Sequence, residues 1–263
     1  MAAETQYTAN TGMANIATAN ANLDGTGTLG TVLTAASNGT LIKSITVKSL
    51  VTTTQGMIRL FIFDGTNTRL IKEIPVEANT KSSVNPAVQY KWNCDIKLKS
   101  GQVLKASTEK AESFNIIAEG LDWAYYGGAV RPESTNFTAN TGTGLVSTAN
   151  SNLDGTGTVV TVLTTGPSAS GWKGCRIESL TIKGIVTTTA GMIRLYIYDG
   201  TNTRIFKEVM IPAITKSATQ AAFECKVDVE GFQLKPDYLI KASTQNAESF
   251  HITVEGNDWK YPA

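Results

Sequence analysis

The chain has 263 residues, 41% apolar and 17% charged, with 23 lysines and arginines against 22 aspartates and glutamates. That length suffices for two cores of ordinary size. The balanced, interleaved charge excludes the basic stripe that tracks a phosphate backbone, so nucleic acid is not an expected partner. No stretch approaches the roughly 18 apolar residues needed to cross a bilayer as a helix, so no membrane partner is expected either. Met1–Thr5 carries neither a basic flank nor an apolar run, which predicts a chain made in a cytoplasm and left or assembled there.

In chain order, the first distinctive segment is Asn22-Leu23-Asp24-Gly25-Thr26-Gly27-Thr28, rich in residues that supply positive φ cheaply and reverse the chain. Gly25 to Gly30 formally matches a dinucleotide fingerprint, but the β-like Val32-Leu33 follows where a helix is required, so the segment reads as a turn. A strand follows with Ile45 and Val47 inward and Thr46 and Lys48 outward, matched in the second copy by Leu180 and Ile182 inward and Thr181 and Lys183 outward. Met57 to Phe63 is the next, with Ile58, Leu60 and Ile62 on one face. Asp64-Gly65-Thr66-Asn67 then closes a hairpin. Phe114, Ile116 and Ala118 line the last inward face, and Asp122-Trp123 ends the pattern, the tryptophan fastening the terminus onto the sheets.

All of this returns. The Asn-Leu-Asp-Gly-Thr-Gly-Thr segment recurs at Asn152 with an offset of 130 residues, and the Gly-Met-Ile-Arg-Leu strand and Asp-Gly-Thr-Asn-Thr-Arg turn recur with an offset of 135. Ala111-Glu112-Ser113-Phe114 recurs at Ala247 with an offset of 136, and Asp258-Trp259 closes the second copy. An offset that drifts so little marks duplicated domains with small loop insertions. The expected organisation is repeat 1 at 1–127, a linker at 128–133, and repeat 2 at 134–263. About eight short strands per copy, spaced by turns, predict an all-β chain of two tandem homologous β-sandwich domains, with a jelly roll the preferred topology.

The second copy also tests each candidate for chemistry. His251 is replaced by Asn115 in the first copy and alternates with inward Phe250 and Ile252, so it is expected to face solvent. Cys94, Cys175 and Cys225 are odd in number, fit no zinc spacing and behave as small hydrophobes. Asp24, Asp64, Asp154 and Asp199 each offer one carboxylate where calcium wants six to eight oxygens, so Asx turns are expected. Glu112 with Glu119, and Glu248 with Glu255, form the best pairs for glycoside hydrolysis, yet structural hydrogen bonding accounts for them more simply. No catalytic residue, cofactor or metal is therefore expected, and no enzymatic activity.

What remains is surface. Arg59 with Phe61 and Phe63, and Arg194 with Tyr196 and Tyr198, stand on the strand face opposite the core. Arginine and aromatics together are what protein interfaces favour, which makes these six the candidate interface. The alternative is that this face meets the second sheet and the arginine merely caps it.

The segments Tyr7-Thr8-Ala9-Asn10-Thr11-Gly12, Asn-Leu-Asp-Gly-Thr-Gly-Thr, Gly-Met-Ile-Arg-Leu-Phe-Ile-Phe-Asp-Gly-Thr-Asn-Thr-Arg and Ala-Glu-Ser-Phe resemble small structural proteins of tailed bacteriophages, in particular the crAss-like group. The resemblance spans both copies and implies a virion component made in the host cytoplasm. It would be a capsid auxiliary or decoration protein, or a fibre-associated module. Its partners would be the major capsid protein or a fibre, and further copies of itself in a homo-oligomer. No functional residue carries over. The competing expectation is a tandem carbohydrate- or receptor-binding module with a glycan as ligand, in which duplication supplies avidity.

Overall fold

The computed structural model describes residues 6–82, 85, 87–124, 136–229 and 232–260. The expected linker, 128–133, lies outside them. The chain divides into two compact units. The first comprises 7–122 together with 215–222. The second comprises the described residues of 123–214 and 223–260, with Gln6.

The regular secondary structure of the described residues is all β, apart from one turn of 3-10 helix at Ser168–Ser170. Strands β1 (Gln6–Ile16), β2 (Gly30–Thr34), β3 (Thr40–Ser49) and β4 (Gly56–Phe63) come first. Then follow β5 (Thr68–Val76), β6 (Gln89–Leu98), β7 (Val103–Thr108) and β8 (Phe114–Ala124). The second series is β9 (Asn136–Val146), β10 (Val160–Thr164), β11 (Trp172–Gly184), β12 (Gly191–Tyr198) and β13 (Thr203–Ile211). It ends with β14 (Glu224–Val227), β15 (Phe232–Leu234), β16 (Leu239–Thr244) and β17 (Phe250–Lys260).

The first eight strands form two four-stranded sheets, ordered β1-β8-β3-β6 and β2-β7-β4-β5. The second series repeats both orders, as β9-β17-β11-β14 and β10-β16-β12-β13, with β15 also pairing β11. This interleaving of early and late strands in two sheets is the strand order of a jelly roll. Each pair of sheets shares one apolar core. In the first, Ile45, Val47, Phe114 and Ile116 of one sheet meet Ile58, Leu60, Ile62 and Leu104 of the other. In the second, Leu180, Ile182, Phe250 and Ile252 meet Ile193, Leu195 and Ile240. The period-two pattern thus places its apolar residues where the sequence predicts, each burial being worth about 1.5–3 kcal/mol.

The backbone of β1 comes close to β2 at Gly12, where an added Cβ would lie 2.1 Å from the Val32 carbonyl oxygen. Gly142 stands in the same relation to Val162, also at 2.1 Å. That close approach explains the glycine shared by the two Thr-Ala-Asn-Thr-Gly strings.

Alternation predicts a wet outer face on every sheet, and here the structure departs from expectation. In β8 the outward Asn115 and Ile117 are half-buried, but in β17 the run from Phe250 to Val254 is buried without interruption. His251, expected to face solvent, is 1% exposed, as is its cross-strand partner Lys183, expected to point outward. Period two states which side chains share a face; it does not state whether that face is covered.

Candidate functional site

The candidate interface lies on the outer face of the β2-β7-β4-β5 sheet and its counterpart. Arg59 stands on β4, directly across from Glu73 on β5. Its Nε donates to Glu73 Oε1 at 3.2 Å and its Nη1 donates to the Asn20 carbonyl at 3.2 Å. Glu109 lies 3.7 Å from the same guanidinium. Arg194 repeats the arrangement, with Nε donating to Glu208 Oε1 at 3.1 Å and Nη1 to the Asn150 carbonyl at 3.1 Å.

The arginines therefore hold the β1–β2 and β9–β10 connections against their sheets. Each connection is also tied to the sheet by its backbone: the Asn20 N–H donates to Thr108 O, and the Asn150 N–H to Thr244 O, both at 2.7 Å. Within the first loop the Asn20 side chain donates to the carbonyls of Thr26 and Thr28 at 2.8 and 2.9 Å. Asp24 Oδ1 accepts from the Thr26 N–H at 3.0 Å and from its hydroxyl at 2.7 Å. Asn150, Thr156, Thr158 and Asp154 repeat these bonds one for one. Gly25 adopts φ +85°, and a Cβ there would meet Thr68 at 2.6 Å, so the loop needs glycine for both conformation and space.

This geometry corrects the exposed-interface expectation for four of the six residues. Arg59, Phe61, Arg194 and Tyr196 are buried within the chain, because each unit's own loop occupies the face they share. Phe63 and Tyr198 remain half-buried, each with a lysine over its ring: Lys105 at 4.1 Å and Lys241 at 4.0 Å. The alternative, that this face meets the second sheet, is corrected as well: the loops carrying Asn20 and Asn150 cover it, while the second sheet packs on the opposite face.

The other shared carboxylates also have structural partners. Glu112 Oε1 accepts from the Thr54 N–H at 2.8 Å and from its hydroxyl at 2.6 Å, and Glu248 treats Thr189 alike. Glu119 accepts from Ser44, and Glu255 from Ser179 at 2.8 Å. The Ser44 hydroxyl, followed by Lys91, holds the Glu119 carboxyl below its usual range. Asp64 caps its hairpin by accepting from Thr66 and Asn67 N–H groups at 2.9 and 2.7 Å. These are the Asx turns that the sequence predicts.

Asp122 accepts from Asn10 at 2.8 Å and from the Thr40 hydroxyl at 2.5 Å. In the second unit Asp258 accepts from Asn140 at 2.9 Å, and the residue across from it on β11 is Cys175. Burial, followed by the Asp258 carboxylate, pushes the Cys175 thiol far up. All three cysteines are free thiols, with Cys94 and Cys225 half-buried beside the cores. Trp123 and Trp259 sit inside β8 and β17, half-buried, rather than beyond the last strand. Among the described residues no group of three or more His, Cys, Asp or Glu converges as metal ligands would.

Fold and site together define an all-β protein whose two units share one strand order and one way of fastening loops to sheets. No family model matches the chain, and no curated protein matches it. Solved structures similar to it include the major capsid protein P2 from bacteriophage PM2, at 12% identity over 96% of this chain and 98% of that one, with a TM-score of 0.33. The STIV major capsid protein is 11% identical over 99% and 97%, also with a TM-score of 0.33. The CBM22-1-CBM22-2 tandem domain of Paenibacillus barcinonensis Xyn10C is 10% identical over 97% and 98%, with a TM-score of 0.23. Likenesses at these scores carry no functional assignment.

Proposed function

We propose that the chain is a non-enzymatic structural protein of a virion, a capsid auxiliary or decoration component that assembles with other virion proteins through its β-sandwich surfaces. In this reading the repeats 1–127 and 134–263 are tandem jelly-roll domains joined by 128–133, and the protein is made in the host cytoplasm and resides in the particle. The observation that carries it is the use of the shared polar motifs. The Arg59 and Arg194 anchors fasten loops to sheets, the Asp24 and Asp154 turns brace those loops internally, and the Glu112 and Glu248 clasps tie one loop to another. Two copies that preserve fastenings preserve a rigid building block. The resemblance of the sequence to tailed-phage structural proteins points the same way.

The test is immunogold electron microscopy of purified particles with antibodies to this chain, alongside a glycan array. Regular labelling of capsids and no glycan response are the expected results. A chain absent from particles overturns the reading, and specific glycan binding without capsid labelling replaces it with the carbohydrate-binding one.

A further inference from the structure

The two units differ on the face that carries the arginines. In the first unit Glu73 has both carboxylate oxygens engaged: Oε1 by Arg59, and Oε2 by the Ala222 N–H at 3.0 Å. Ala222 ends the 215–222 segment, which by chain order connects β13 to β14 and which groups with 7–122. Around Glu73 the outward Met57 and Leu70 are fully buried. At the equivalent places of the second unit, Met192 and Ile205 are half-buried and the Glu208 side chain is 44% exposed, against 1% for Glu73. Glu208 Oε1 is held by Arg194 as Glu73 Oε1 is by Arg59, while no described residue donates to its second oxygen.

We infer that this face of β12 and β13, centred on Glu208 with Met192 and Ile205, receives from a second copy of the chain the Ala87-Val88 pair that leads into β6, with the Ala87 N–H as donor. The duplication supplies the occupant. Ser49 N–H bonds the Val88 carbonyl at 2.9 Å as Gly184 N–H bonds the Phe223 carbonyl at 2.7 Å, which places Ala87 at the position of Ala222. A surface that meets one such stretch in the first unit is offered again in the second. The stretch that matches it belongs to the same chain and so to every other copy. Acceptor and donor are different surfaces, so the contact is heterologous and runs head to tail, building rings or chains. The inference deepens the assembly reading above by naming its surface and partner.

Sedimentation velocity of the full chain over a dilution series tests it, with two variants: Glu208→Lys spoils the acceptor and Ala87→Pro removes the donor. Wild type should sediment above the monomer mass and each variant as a monomer. An equimolar mixture of the two variants should form dimers, because one intact surface remains on each. Near-UV circular dichroism checks folding, and Ile205→Glu replaces Glu208→Lys if that variant unfolds. A monomeric wild type, folded variants that still assemble, or a mixture that stays monomeric overturns the inference. Particle labelling is read separately. Labelled capsids with unaffected variant assembly sink this contact alone, and Glu208-dependent assembly of a chain absent from particles sinks the virion reading alone.

Discussion

Tyr196 Oη lies 3.1 Å from Ser243 Oγ and donates to the Asn152 carbonyl at 2.8 Å, whereas Phe61 stands in its place in the first unit and leaves the buried Ser107 hydroxyl without a hydrogen-bond partner among the described residues. The loop above Phe61 carries the same hydrogen bonds as the loop above Tyr196. Phe61→Tyr should therefore place a hydroxyl between Ser107 and the Asn22 carbonyl. An unmade buried bond that becomes made is worth about 0.5–1.5 kcal/mol. Urea unfolding should show a higher midpoint with an unchanged slope. Tyr196→Phe should show the converse loss.

Arg59 and Arg194 hold equivalent loops, but their carboxylate partners differ in exposure, Glu73 being 1% exposed and Glu208 44%. Arg59→Ala strands Glu73 in a dry environment and should cost about 3–5 kcal/mol. Arg194→Ala lets Glu208 rehydrate and should cost clearly less. Equal losses in paired chemical-denaturation curves would contradict the account of the two faces.

Cys175 occupies the place of Thr40, across from an aspartate in each case, half-buried for Asp122 and buried for Asp258. Its thiol is raised by burial and then by Asp258, so it stays protonated and should resist alkylation in the native protein. A raised folded value means that this contribution to stability is fully present below the unfolded thiol's pKa of about 8.5 and is lost as pH rises above it. Cys175→Thr should restore the Thr40–Asp122 arrangement and flatten the alkaline limb of the stability profile. A profile unchanged by the substitution would count against Cys175 as its source.

Asp154 is held below the usual carboxylate range by the Thr156 hydroxyl first and the Thr156 N–H second. A lowered folded value gives stability that is present above the unfolded pKa of about 3.9 and lost as pH falls through the folded one. Hydrogen exchange at Thr156 should therefore accelerate in that acid range ahead of the core strands. Because this carboxylate already has donors, EDTA should leave the melting temperature unchanged at neutral pH. A fall in melting temperature on adding EDTA would assign the loop to a metal instead.

The sequence by itself determined the strands, the turns and the inward faces. Ile58, Leu60 and Ile62 alternate with period two, and Asp64-Gly65 reverses the chain by local chemistry, so neither depends on distant residues. Comparing the copies also singled out Asp24, Arg59 and Glu112, which all have counterparts. Only the tertiary structure decided what those residues do. Arg59 and Phe61 read as exposed because alternation assigns a face and is silent on what lies over it; a loop some 40 residues earlier in the chain lies there. His251 and Lys183 were misread for the same reason, and the difference between Glu73 and Glu208, identical in sequence, exists only in what covers each. Burial of a second face is set by long-range packing, which no local pattern encodes.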